Sequence, residues 1–134
     1  MGYVIGVALA LVIGLFAGTL GLDKERSFYP VVLIVIAILY VLFAAIAGSE
    51  SAIVLEILPA LLFVAAAAVG FKKTLWVVVG GLAFHGVFDF IHPEIINNPG
   101  VPEWWPDFCL AYDVTAAAYL SVLLCVRKVP NAGT

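Results

Sequence analysis

Long apolar runs separated by short polar punctuation organise this chain, and the pattern occurs five times, over residues 3–22, 28–48, 52–71, 74–92 and 107–126. Each run holds about 20 residues, enough to cross ~30 Å of hydrocarbon as an α-helix. No run alternates with a period of two, and a backbone in lipid must satisfy its own hydrogen bonds, so helices are predicted rather than a barrel. The expected fold class is all-α, an integral membrane bundle of five transmembrane helices forming a single domain over 1–134. The first three connections span only a few residues, which predicts that consecutive helices pack as antiparallel neighbours. Gly6, Ala10, Gly14 and Gly18 recur at every fourth position of the first run and mark a face for close helix approach. The alanine run 65–68 with Gly70 does the same in the third, where Pro59 predicts a bend.

The fourth connection is different in kind. Residues 93–106, PEIINNPGVPEWWP, carry four prolines and an Asn98-Pro99-Gly100 turn signal. Proline removes conformational freedom from the unfolded chain, so this segment is predicted to be a shaped external lid and not a loose tether. Pro106 and Asp107 suit the opening of the fifth helix.

Composition agrees with the pattern: 65% of the 134 residues are hydrophobic and 11% charged, with a mean hydropathy of +1.19. A soluble domain of this length needs far more polar surface. The first run lacks a basic leader and is followed directly by DKER, so a membrane span is expected there and not a cleavable signal peptide. Charge adds orientation. The six basic residues fall in three places: Lys24 and Arg26 after the first run, Lys72 and Lys73 after the third, Arg127 and Lys128 after the fifth. In a five-helix chain these lie on one side, which the positive-inside rule makes cytoplasmic. The N-terminus is then outside, the C-terminus cytoplasmic, and the location a multi-pass place in the inner (plasma) membrane. Tyr29 and Trp76 suit the inner interface, Trp104 and Trp105 the outer one. The bilayer is the expected partner, together with further copies of the chain or other subunits of a membrane complex; nucleic acid is not. Cys109 and Cys125 are ~24 Å apart along one helix and cannot pair with each other.

Candidate chemistry concentrates in FHGVFDFIHP, residues 84–93, which holds both histidines with an aspartate between them. Spacings of four and seven place His85, Asp89 and His92 within about 60° of arc on one helix face. Glu56 in the third run and Asp113 in the fifth fall at similar depth from the same boundary, as does Tyr40 in the second. Every Lys and Arg lies at the opposite boundary. Carboxylates in low dielectric without such partners must be protonated, paired with imidazolium or bound to a cation. Imidazole with carboxylate suits a divalent metal, zinc first, or iron or manganese if oxygen ligands dominate. His85 and His92 are roughly 10 Å apart along the axis, too far to share one ion comfortably. Asp89 with one histidine, completed by Asp113 or Glu56, fits better. The expected ligand set is drawn from His85, Asp89, His92 and Asp113, with Glu56 or the spare histidine (His85 or His92) as catalytic acid or base. A network that only holds helices in register uses the same residues.

The segment 85–113 resembles a family of uncharacterised small bacterial integral membrane proteins. The shared pattern is His-x-x-x-Asp-x-x-His, then Asn-Pro, a proline-bounded loop, and Cys-x-x-x-Asp. The resemblance covers about a fifth of the chain and marks His85, Asp89, His92, Asn98, Pro99, Cys109 and Asp113; it brings no established activity. A looser similarity connects the His and Asp residues on helices to membrane hydrolases of the alkaline ceramidase type, which use zinc. The expectation is a metal-dependent hydrolase acting on a lipid or small molecule. The alternatives are a component for cation or proton transport or sensing, and a structural or accessory subunit of a membrane complex.

Overall fold

In the computed structural model, which describes residues 1–132, the chain forms five long helices and one short 3-10 turn. They are α1 (Gly2–Leu20), α2 (Phe28–Ile46), α3 (Glu50–Lys72), α4 (Trp76–Ile95) and α5 (Trp105–Cys125), with the 3-10 turn at Leu22–Lys24. All five are long and apolar enough to cross a membrane, and no strand forms among the described residues.

Local chemistry sets the ends. Gly21 takes a left-handed conformation (φ 76°) that closes α1 with bonds back to the Ala17 and Gly18 carbonyls. Ser49 caps α3 by accepting from the Ala52 N–H at 3.3 Å. Pro30 and Pro106 lie in the first turns of their helices, where the missing N–H has no partner to lose. Helix α4 runs further than the pattern predicts, through Pro93 to Ile95. A proline near a helix end forfeits only one bond, here to the carbonyl of Asp89. The α4–α5 connection is therefore residues 96–104, shorter than the expected 93–106.

The packing order departs from the expectation that chain neighbours are spatial neighbours. Helices α2, α3, α4 and α5 do pack in sequence, but α1 packs on α5 and not on α2. The small-residue face explains this. A Cβ at Gly6 would run into the carbonyl of Phe108, and one at Gly14 would lie 2.9 Å from the Tyr119 ring. Only a face without side chains lets α1 come this close. The buried positions are Gly6, Ala10, Gly14 and Ala17, whereas Gly18 is exposed. Between α1 and α2 an apolar groove of about 430 Å³ remains, floored by Cys109 and Tyr112 of α5.

Leu33, Ala37, Ala67, Val78, Leu82, Ala116 and Leu120 fill the interior at the basic end. Only 22% to 44% of each apolar span is buried, so most of the surface is an apolar belt suited to lipid. At the basic end the chain beyond α5 folds back. Asn131 Oδ1 accepts from Thr74 Oγ1 (2.8 Å) and the Leu75 N–H (2.9 Å), and Arg26 donates to the carbonyls of Pro130 and Phe71.

Candidate functional site

In the half of the bundle away from the lysines and arginines, α2, α3, α4 and α5 each turn a polar side chain inward. Glu56, His85, Asp89, His92 and Asp113 are at most 1% exposed. Close approach of α4 and α5 makes this possible: a Cβ at Gly86 would stand 3.3 Å from the Asp113 Cβ.

Two clusters result. In the first, His85 Nδ1 lies 2.7 Å from Asp113 Oδ2 and 3.2 Å from Asp89 Oδ2. With carboxylates on that side, Nδ1 carries the proton and donates to both. In the second, His92 Nε2 lies 2.7 Å from Glu56 Oε1. The Asn98 amide donates to the same Glu56 oxygen (2.8 Å) and to the Tyr40 carbonyl (3.0 Å).

Tyr40 joins the clusters. Its hydroxyl donates to Asp89 Oδ1 at 2.6 Å, while its ring stacks on His92 with centroids 4.0 Å apart and planes 18° apart. Phe63 presents its ring to His85 edge-on at 4.5 Å, and Phe88 meets His92 at 5.4 Å. These aromatics keep the clusters in an apolar surround, where an unpaired charge is most costly. Two oxygens still lack a partner, Asp113 Oδ1 and Glu56 Oε2. Each cluster thus contains one carboxylate with an unused lone-pair face.

The donor atoms of His85, Asp89 and Asp113 lie within 4.8 Å of one another, close enough to hold a metal ion. The distances found are hydrogen-bond distances. An ion with ~2.0–2.2 Å bonds needs its ligand atoms about 3.3 Å apart, so it would take the place of the Nδ1 proton and spread the trio slightly. His92 and Glu56 meet each other instead of joining that trio. Cys109 is buried and lines the apolar groove with Tyr112.

Two contributions are not visible in the residue pattern. Tyr40 matches the others in depth, but its role as a bridge depends on the α2 packing angle. Asn98 reads as a turn residue, and it does make a turn: its Oδ1 accepts from the Gly100 N–H at 3.1 Å. Its other end reaches into the bundle because Gly100 lies directly on the Phe43 carbonyl, with no room for a Cβ. The α4–α5 connection is thereby tied to the site through the Asn98 amide.

Comparison of the chain with protein-family models, with curated proteins and with solved structures finds no match.

Proposed function

We propose that this is a metal-binding membrane protein in which His85, Asp89 and Asp113 hold one divalent cation, zinc first among the choices. The observation that carries the reading is the convergence of three buried ligand atoms within 4.8 Å, in a layer where the sequence places no lysine or arginine to neutralise the carboxylates. The orphan Asp113 Oδ1 fits it, since a carboxylate shifting toward a metal has a second oxygen to offer. Three protein ligands leave a fourth position for water, as in catalytic zinc sites, and such water is a strong nucleophile near neutral pH. A metal-dependent hydrolase of a lipid or small molecule is the activity this composition serves best. In that role the His92–Glu56 pair would supply proton-handling groups, and the 96–104 connection covers that pair through Asn98. The loose similarity to ceramidase-type hydrolases points the same way, while the resemblance of 85–113 to small bacterial membrane proteins marks the three ligands without an activity.

The basic end is cytoplasmic in this proposal, with the N-terminus outside, the protein in the plasma membrane, and copies of the chain or other subunits as its protein partners. A C-terminal reporter active only in the periplasm would overturn that orientation.

One observation favours a second reading, a structural or proton-linked network. Both imidazoles already have a carboxylate partner at 2.7 Å. Metal analysis of the detergent-solubilised protein separates the two. The metal reading expects about one equivalent per chain, lost on Asp89→Asn because the carboxylate charge is essential to ion binding. The network reading expects no metal and a folded variant, since an amide can replace a protonated acid as hydrogen-bonding group.

A further inference from the structure

The end of the bundle opposite the site carries a different feature. A cleft of about 580 Å³ is lined by Lys24, Leu124, Arg127, Lys128, Val129, Pro130 and Asn131. A second recess, of about 540 Å³, runs up the side of the bundle between α1 and α5. Leu15, Gly18, Tyr119 and Leu123 line it. Lys24 and Lys128 border both spaces, so the cleft and the recess adjoin. One is polar and basic, and the other is largely apolar and lies along the membrane-spanning surface. Gly18 leaves this recess open, which is the use of the one glycine in the α1 stripe that packs on no helix.

Among the described residues these cations have no carboxylate partner: every ion pair involves a histidine, and Lys24, Arg127 and Lys128 are exposed. One carboxylate, Asp23, borders the recess, against three cations around the cleft and recess together. The backbone adds an independent sign. Arg127 has φ 56°, the left-handed conformation that closes α5 through the Arg127 N–H to the Leu124 carbonyl and the Lys128 N–H to the Leu123 carbonyl. Glycine is the residue suited to that position, and a side chain there is strained. Arg127 keeps this conformation while lining the cleft.

We propose that this corner of the bundle is a binding site for an anionic phospholipid. The phosphate sits among Lys24, Arg127 and Lys128, and one acyl chain lies in the recess over Gly18 and Tyr119. Charge complementarity selects the headgroup, and the adjoining apolar recess selects a lipid over a free phosphate.

The test uses the whole protein in detergent, with lipid binding followed by native mass spectrometry. Phosphatidylglycerol is expected to bind, and phosphatidylcholine much more weakly. Arg127→Gly relieves the strained backbone, so it should fold at least as well as the parent while weakening phosphatidylglycerol binding roughly fivefold. Adding Lys128→Gln should bring the loss to about twentyfold. Lys73→Gln removes the same charge at the same end of the bundle but outside the cleft, and should change binding little. Gly18→Leu fills the recess and should weaken the lipid without affecting glycerol phosphate. Equal loss from Lys73→Gln would show diffuse attraction and overturn the site. Equal binding of phosphatidylcholine would overturn the charge selection. Competition by glycerol phosphate at the lipid's own concentration would overturn the recess and leave a simple anion cleft.

Discussion

His85 and His92 stand two turns apart on one face of α4, and each meets an acid from another helix at 2.7 Å. Their surroundings then diverge. His85 faces two carboxylates, Asp113 and Asp89, and Asp89 takes a further bond from Tyr40. His92 faces one carboxylate, whose bonded oxygen is shared with the neutral amide of Asn98. A single imidazolium can balance the acid beside His92 but not both acids beside His85. The first cluster therefore requires a further positive charge, from a second proton or a metal, whereas the second can close on itself. Residue type and helix face are the same, and the number of acids supplied by the neighbouring helices makes the difference.

The comparison breaks most sharply at His92. His92→Ala leaves Glu56 buried with only the Asn98 amide, and should cost about 3 kcal/mol of stability in a denaturant titration in detergent. Metal content should stay near the parent value, because the trio does not include His92. Loss of metal together with stability would merge the two clusters into one site. A smaller effect is expected from Asn98→Ala, about 1–2 kcal/mol. It should also speed hydrogen exchange of backbone amides in residues 96–104, since that amide ties the connection to Glu56 and the Tyr40 carbonyl. Unchanged exchange would show that the seat of Gly100 on the Phe43 backbone holds the connection without it. The smallest effect belongs to Tyr40→Phe, which removes the hydroxyl bond to Asp89 and keeps the ring stacked on His92. A cost of about 1 kcal/mol is expected, with the His85 ring resonances moving in NMR and those of His92 staying in place. Equal shifts of both rings would mean that the hydroxyl governs the stack as well.

Much of the fold was legible because hydropathy in a membrane chain is nearly a direct record of span number and length. The five helices differ from the apolar runs mainly at their ends, most clearly where Pro93 lies inside α4. Packing order was less legible. The Gly6, Ala10 and Gly14 face announces that something approaches closely, but small residues carry no address, and chain proximity suggested α2 where the partner is α5. At the site, depth along each helix brought Glu56, His85, Asp89, His92 and Asp113 into one layer. It could not divide them into two clusters, because that depends on rotation about the helix axes. Asn98 was marked by the resemblance of 85–113, but its contacts inside the bundle were hidden for another reason. A residue in a polar connection has no periodicity, and its inward reach depends on the contact between Gly100 and the Phe43 backbone.

The pairing of α1 with α5 also sets a timetable. Synthesis proceeds from the N-terminus, so the first span leaves the ribosome with its glycine face uncovered and its partner still untranslated. Helices α2, α3 and α4 can associate as they emerge, but α1 must stay in the bilayer until Phe108 and Tyr119 have been made. A nascent chain arrested before Trp105 exposes a small-residue face to any other helix in the membrane. Completion of the polypeptide and burial of its first helix are therefore the same late event.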